Sequence, residues 1–234
     1  VDSTQILQAF AFSFFGGIIP ALVWLWFWIQ EDKAHPEPKK NIFLACLAGF
    51  LSVIIALGLQ KLVVAFGFDP YHEQTVIIFA SIEELVKYYM VFLIALRLPI
   101  CDEPIDEMVY MVAGAIGFAA LENMLYILNP LLDGRIAESI STGNLRFIGP
   151  TLLHIVASGI IGYFAGLSFY GSRLKKTTYR ILGITLACII HIAYNLYILN
   201  AFSIQLFAFV GVWIAVIVLI LLFERIKGVT QPQN

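Results

Sequence analysis

Eight polar or charged residues stand out because they lie inside otherwise apolar stretches. Glu83, Glu84 and Lys87 share one stretch, Glu122 and Asn123 a second; His154 lies in a third, and His191 with Asn195 in a fourth. A charge in hydrocarbon costs about 2.5–3.5 kcal/mol even on the mildest insertion scale, so such groups mark functional sites. Two imidazoles and one carboxylate, from His154, His191 and Glu122, are the ligand type of a catalytic zinc centre that keeps water in its fourth position. Glu83 is then the general base that takes a proton from that water. Glu83, Glu84 and Glu122 against Lys87 leave a net of -2, which a dication neutralises. Protonated carboxylates would also remove it. In that metal-free alternative Glu83 activates water alone, and His191 with Asn195 polarises the scissile carbonyl. Either scheme hydrolyses an amide without a covalent acyl-enzyme.

Other nucleophiles fit poorly. Cys46, Cys101 and Cys188 have no basic partner at helical spacing and read as packing residues. Ser158 is one turn from His154, but no third orienting group follows. There is no HExxH, P-loop or zinc-finger spacing. Glu83 and Lys87, four residues apart, share a helix face and are expected to pair, while Glu84 supports the site from the side. Tyr126 reads as an interface aromatic, and Trp24, Trp26 and Trp28 as an aromatic belt. His35 and His72 read as loop histidines without a role. Asp102, Glu103, Asp106 and Glu107 read as a solvated acidic run.

The elements that must position these groups follow from composition. Of 234 residues 60% are hydrophobic and 13% charged, and mean hydropathy is +0.88. Soluble domains carry about 25% charged residues, so a water-exposed fold is excluded, as is a disordered chain. Three cysteines make no disulfide scaffold. A net charge of -2 with scattered basic residues offers no nucleic-acid surface, and no nucleotide-binding motif is present. The reading is an all-α, polytopic transmembrane helical bundle, with one integral membrane domain over 1–234 and a catalytic core of four spans over 75–200.

A helix crosses the hydrocarbon in about 20 apolar residues. Seven stretches qualify: Ile6–Ile29, Asn41–Phe66, Thr75–Arg97, Asp106–Leu128, Phe147–Phe169, Tyr179–Asn200 and Phe202–Phe223. The first is too long for a signal peptide and is expected to be retained; the last two are joined tightly. Spans two and seven carry no ionisable group comparable to the others. Ten Lys and Arg residues fall at one set of alternate loops and two, Arg135 and Arg146, at the other, which places the N-terminus outside and the C-terminus in the cytoplasm. With a rise of about 1.5 Å per residue, Glu83, Glu122, His154 and His191 all lie roughly 9–14 Å below the outer boundary. Four helices thus deliver ionisable groups to one layer. Gly114 and Gly117, and Gly159, Gly162 and Gly166, allow the close helix approach such a layer needs.

Glu83-Glu84-Leu85-Val86-Lys87 reads as EExxK, Phe118 to Asn123 as FxxxEN, and His191 to Asn195 as HxxxN, with His154 opening a motif between them. Their order and spacing over about Thr75 to Asn200 resemble the PrsW family of intramembrane proteases, related to the CAAX-processing and bacteriocin-processing membrane proteases. The resemblance implies a multi-pass protein of the cell membrane, a prokaryotic plasma membrane. It implies hydrolysis of a peptide bond in or near the lipid bilayer, with a membrane protein carrying a transmembrane helix as substrate. Site-1 cleavage of an anti-sigma factor is the type case. It maps Glu83 to the catalytic glutamate, supported by Glu84 and Lys87, and His191 with Asn195 to the last motif. Glu122 stands where the prenyl-processing relatives carry histidine, so prenylated substrates are not expected. A cation or proton transporter is the competing class, because intramembrane carboxylates and histidines also build ion pathways.

Overall fold

Backbone polar groups in hydrocarbon must be satisfied within the chain, so apolar runs of this length become helices. The computed structural model describes residues 2–33, 36–200 and 205–231. Among them are eight α-helices: α1 (Ser3–Trp28), α2 (Lys39–Ala65), α3 (Glu73–Val91), α4 (Pro104–Leu132), α5 (Ile136–Ile148), α6 (Pro150–Leu167), α7 (Arg173–Asn200) and α8 (Gln205–Ile226). A 3-10 turn, Ile29–Asp32, extends α1, and a π turn, Phe92–Leu96, extends α3. Pro104 and Pro150 occupy first-turn positions of α4 and α6, where a missing N–H costs nothing. His72, expected to be idle, caps α3 by accepting from the Gln74 N–H at 3.3 Å. His35 and the join between the last two spans lie outside the described residues.

Among the described residues six helical segments are long and apolar enough to cross a membrane, α5 and α6 counting as one. The remaining long helix, α3, holds Glu73, Glu83, Glu84 and Lys87 and so falls short on apolarity rather than on placement. The protein is an all-α, multi-pass bundle.

α4 runs through its middle. Of its apolar window 72% is buried, against 22% for α1, α7 and α8, which turn large apolar side chains outward. α1, α2 and α6 pack on α4. Two contacts permit this only because a side chain is missing. A Cβ on Gly117 would strike the Cys46 carbonyl of α2, and one on Gly162 would meet the Glu107 carbonyl and Met108 Cα of α4.

Enclosure of α4 overturns the reading of its first residues as solvated. Asp106 is 1% exposed and Glu107 2%. Asp106 Oδ2 accepts the N–H groups of Asp102 at 2.8 Å and Glu103 at 2.7 Å, satisfying donors that a helix start leaves open. Glu107 takes Arg180 of α7 at 2.9 Å. Tyr110 donates to Glu37, and Asp32, Glu37 and Asp106 bring carboxylate oxygens within 4.8 Å of one another. The nearby Cys101 thiol is pushed up by burial. The tryptophans do not form one belt either. Trp26 faces outward, but Trp28 is buried against Phe223, and Trp24 donates to the Phe147 carbonyl at 3.1 Å.

Candidate active site

The four helices that carry intramembrane polar groups converge on one place. α3 supplies Glu83, Glu84 and Lys87, α4 supplies Glu122, α6 His154 and α7 His191. His154 and His191 stand edge to face with ring centroids 5.0 Å apart.

Lys87 pairs with Glu84, at 2.8 Å, rather than with Glu83. Three-residue and four-residue spacings both bring helix side chains together. The choice is set by α6 and α7, which place His154 Nδ1 3.1 Å from the Lys87 ammonium and His191 Nδ1 2.8 Å from the same Glu84 oxygen. Both side chains of the Lys87–Glu84 pair are fully buried.

This network assigns the imidazole protons. An ammonium only donates, so His154 Nδ1 accepts and its Nε2–H donates to Glu122 at 2.9 Å. A carboxylate only accepts, so His191 carries its proton on Nδ1 and keeps a lone pair on Nε2. That lone pair lies 3.6 Å from Glu83 Oε2. The other Glu83 oxygen accepts from Gln60 of α2 at 2.8 Å.

Arg146 of α5 adds a charge that sequence reading had counted only toward topology. Its guanidinium pairs with Glu122, donates to Asn123 Oδ1 at 2.7 Å, and lies 3.9 Å over the Tyr126 ring. Asn123 in turn donates to Thr151 at 2.8 Å. With Arg146 in the count the cluster's net charge is less negative than its span residues suggested, so neutralisation alone argues for a dication less strongly. Arg146 escaped notice because it precedes the apolar run of α6. Gln60 escaped because it is neutral and near the end of α2. A polar residue one or two turns inside an apolar span was the signal available.

Glu83, Glu122, Arg146, His154, His191 and Asn195 all line one cavity of about 430 Å³, open beside the Pro70–Tyr71 turn. Water can therefore stand against carboxylates and imidazoles that are otherwise enclosed.

The donor set suits a metal ion. Glu83, His154 and His191 offer ligand atoms that all lie within 4.8 Å of one another, His154 through Nε2 once an ion replaces the proton it directs at Glu122. Two ligands about 2.0–2.1 Å from a tetrahedral zinc stand near 3.4 Å apart, close to the 3.6 Å between His191 Nε2 and Glu83 Oε2. The Nδ1–H of His191 on Glu84 is the outer contact that orients a ligating histidine. Glu122, expected among the ligands, instead touches His154 Nε2 and carries Arg146.

Comparison with known proteins points the same way. Residues 37–222 match the family model described as PrsW family intramembrane metalloprotease. Protease PrsW of Clostridioides difficile is 29% identical over 181 residues, covering 74% of each chain. Protease PrsW of Geobacillus kaustophilus is 27% identical over 161 residues, 68% of each chain. Protease PrsW of Bacillus subtilis is 24% identical over 194 residues, 80% of this chain and 82% of its own. No solved structure matches.

Proposed function

The chain belongs to the PrsW family of intramembrane metalloproteases, and from that premise we propose that Glu83 activates water to cleave a peptide bond in a membrane-embedded or membrane-anchored protein. A single-span anti-sigma factor is the substrate type that the sequence resemblance implies. The observation that carries the reading is the convergence of Glu83, Glu122, His154 and His191, from four helices, on one open cavity that water can enter. The excess of basic residues at the opposite set of loops supports reading this cavity as lying in the outer half of the membrane.

Each residue has a task. Gln60 holds one Glu83 oxygen, which leaves the other facing the cavity to accept a proton from the attacking water. Glu84 fixes the His191 ring through Nδ1 and is itself held by Lys87. Asn195, one turn beyond His191 and lining the same cavity, is placed to donate to the oxygen of the scissile carbonyl as charge develops there. Arg146 neutralises Glu122 at the rim. The residues that would hold zinc are His154, His191 and one carboxylate, and the ion supplies Lewis acidity toward the carbonyl and an acidified water.

The carboxylate in that set has two readings. In the first, Glu122 is the ligand and Glu83 the base. In the second, which the 3.6 Å spacing of Glu83 and His191 would also allow, Glu83 is itself a ligand. Purified Glu83→Gln protein separates them. Lost cleavage of a single-span substrate with retained stoichiometric metal supports Glu83 as base; loss of both supports it as ligand. Full cleavage by Glu83→Gln protein in liposomes would sink both.

A further inference from the structure

A second cavity, about 300 Å³, lies between α2, α3 and α4. It shares Phe79, Glu83, Glu122 and Tyr126 with the cavity described above, so these residues form the wall between the two. Glu83 straddles that wall. Its Oε1 is held by Gln60, which lines only the second cavity, and its Oε2 faces His191, which lines only the first. Apart from Gln60, Asn129 and the shared rim, the second cavity is walled by apolar side chains, Val53 and Ala56 of α2 and Phe118 and Leu125 of α4.

We infer that this α2–α3–α4 cavity is a specificity subsite that receives one apolar substrate side chain next to the scissile bond. The inference rests on Glu83 being the residue at which the bond is cleaved. A carbonyl presented to Glu83 has both neighbouring Cα atoms within about 3.8 Å along the chain. In an extended segment successive side chains point to opposite sides. One flanking side chain therefore faces the His191 cavity and the other faces this one. The wall chemistry selects what enters. Leucine, methionine or phenylalanine loses water-exposed apolar surface there. A lysine would have to strip water from its ammonium among Val53, Ala56 and Phe118, a cost that an apolar side chain does not meet.

The test uses full-length protein in liposomes and a library of single-span model proteins. The positions flanking the cleaved bond carry Gly, Ala, Leu, Phe or Lys in turn, and products are mapped by mass spectrometry. Wild-type protein should prefer Leu or Phe over Gly and Lys at one flanking position by about tenfold or more, the discrimination an apolar pocket supplies. Ala56→Leu should fill the floor and reverse the preference toward Gly and Ala at that position only. Leu125→Ala should enlarge the cavity and move the preference from Leu toward Phe, which keeps the test decisive if Ala56→Leu does not fold. Cleavage by both variants with the wild-type profile, or a wild-type preference for Lys, overturns the subsite while leaving the protease reading intact. A wild-type protein that cleaves no library member overturns the protease reading and the subsite with it.

Discussion

The two ends of α4 carry similar chemistry and do different things with it. Near its start, Asp106 and Glu107 are buried carboxylates, and Glu107 is paired with Arg180. Near its other end, Glu122 and Asn123 sit side by side, and Glu122 is paired with Arg146. At the first end the acids are consumed by structure: Asp106 closes the helix start, and Glu107 ties α4 to α7. At the second end the carboxylate also touches an imidazole, and a cavity admits water. An arginine reaching a carboxylate of an apolar helix is therefore no mark of catalysis. Reactivity comes with the imidazoles and with access.

The comparison is broken or sharpened by substitution at each end. The largest effect is expected at the open end. Glu83→Gln should lower cleavage by about 10²–10⁴-fold, the range for losing a general acid–base group, with thermal unfolding in detergent unchanged. At the closed end Glu107→Ala should cost about 1–3 kcal/mol of stability, because the partly exposed Arg180 is left without its buried partner. Cleavage per folded molecule should persist. If unfolding curves hold and cleavage vanishes instead, the two ends are not distinct. Glu84→Gln is intermediate: weakening the acceptor that orients His191 should reduce metal affinity or activity by about 10–100-fold, read by metal titration as well as by turnover. The smallest effect belongs to Asp106→Ala, which removes an acceptor at the start of α4 and should lower stability by about 1 kcal/mol. A loss as large as that of Glu107→Ala would show that Asp106 also holds the Asp32–Glu37 cluster together.

The contrast explains what could be read from residues alone. Apolar runs located every long helix, and four polar interruptions identified the elements that build the site, because both signals are local. Neighbours were less legible. Lys87 stands three residues from Glu84 and four from Glu83, and helix geometry permits either pair; His154 and His191, distant in the chain, decide it. Arg146 looked like a loop charge because only the folding of α5 back onto α4 brings it to Glu122. Asp106 and Glu107 look solvated because polar residues at the end of a span usually are, and segments distant in the chain cover them: the Asp32–Glu37 stretch beside Asp106, α6 and α7 beside Glu107. Which carboxylate stands with both histidines likewise depends on how α3 and α4 are rotated, and spacing within one helix carries no information about that.

The central position of α4 also sets an order of events during translation. The ribosome makes α1, α2 and α3 first, so α4 enters the bilayer with two of its packing partners, α1 and α2, already present. Asp106, Glu107, Glu122 and Asn123 on α4 make lipid a poor lasting neighbour for the faces that α1 and α2 leave open. α6 completes the enclosure by lateral association of helices already inserted. The same helix delivers His154, and α7 delivers His191 later still. Every carboxylate of the proposed site is thus synthesised before either imidazole, and a nascent chain does not hold the whole set until α7 is being made.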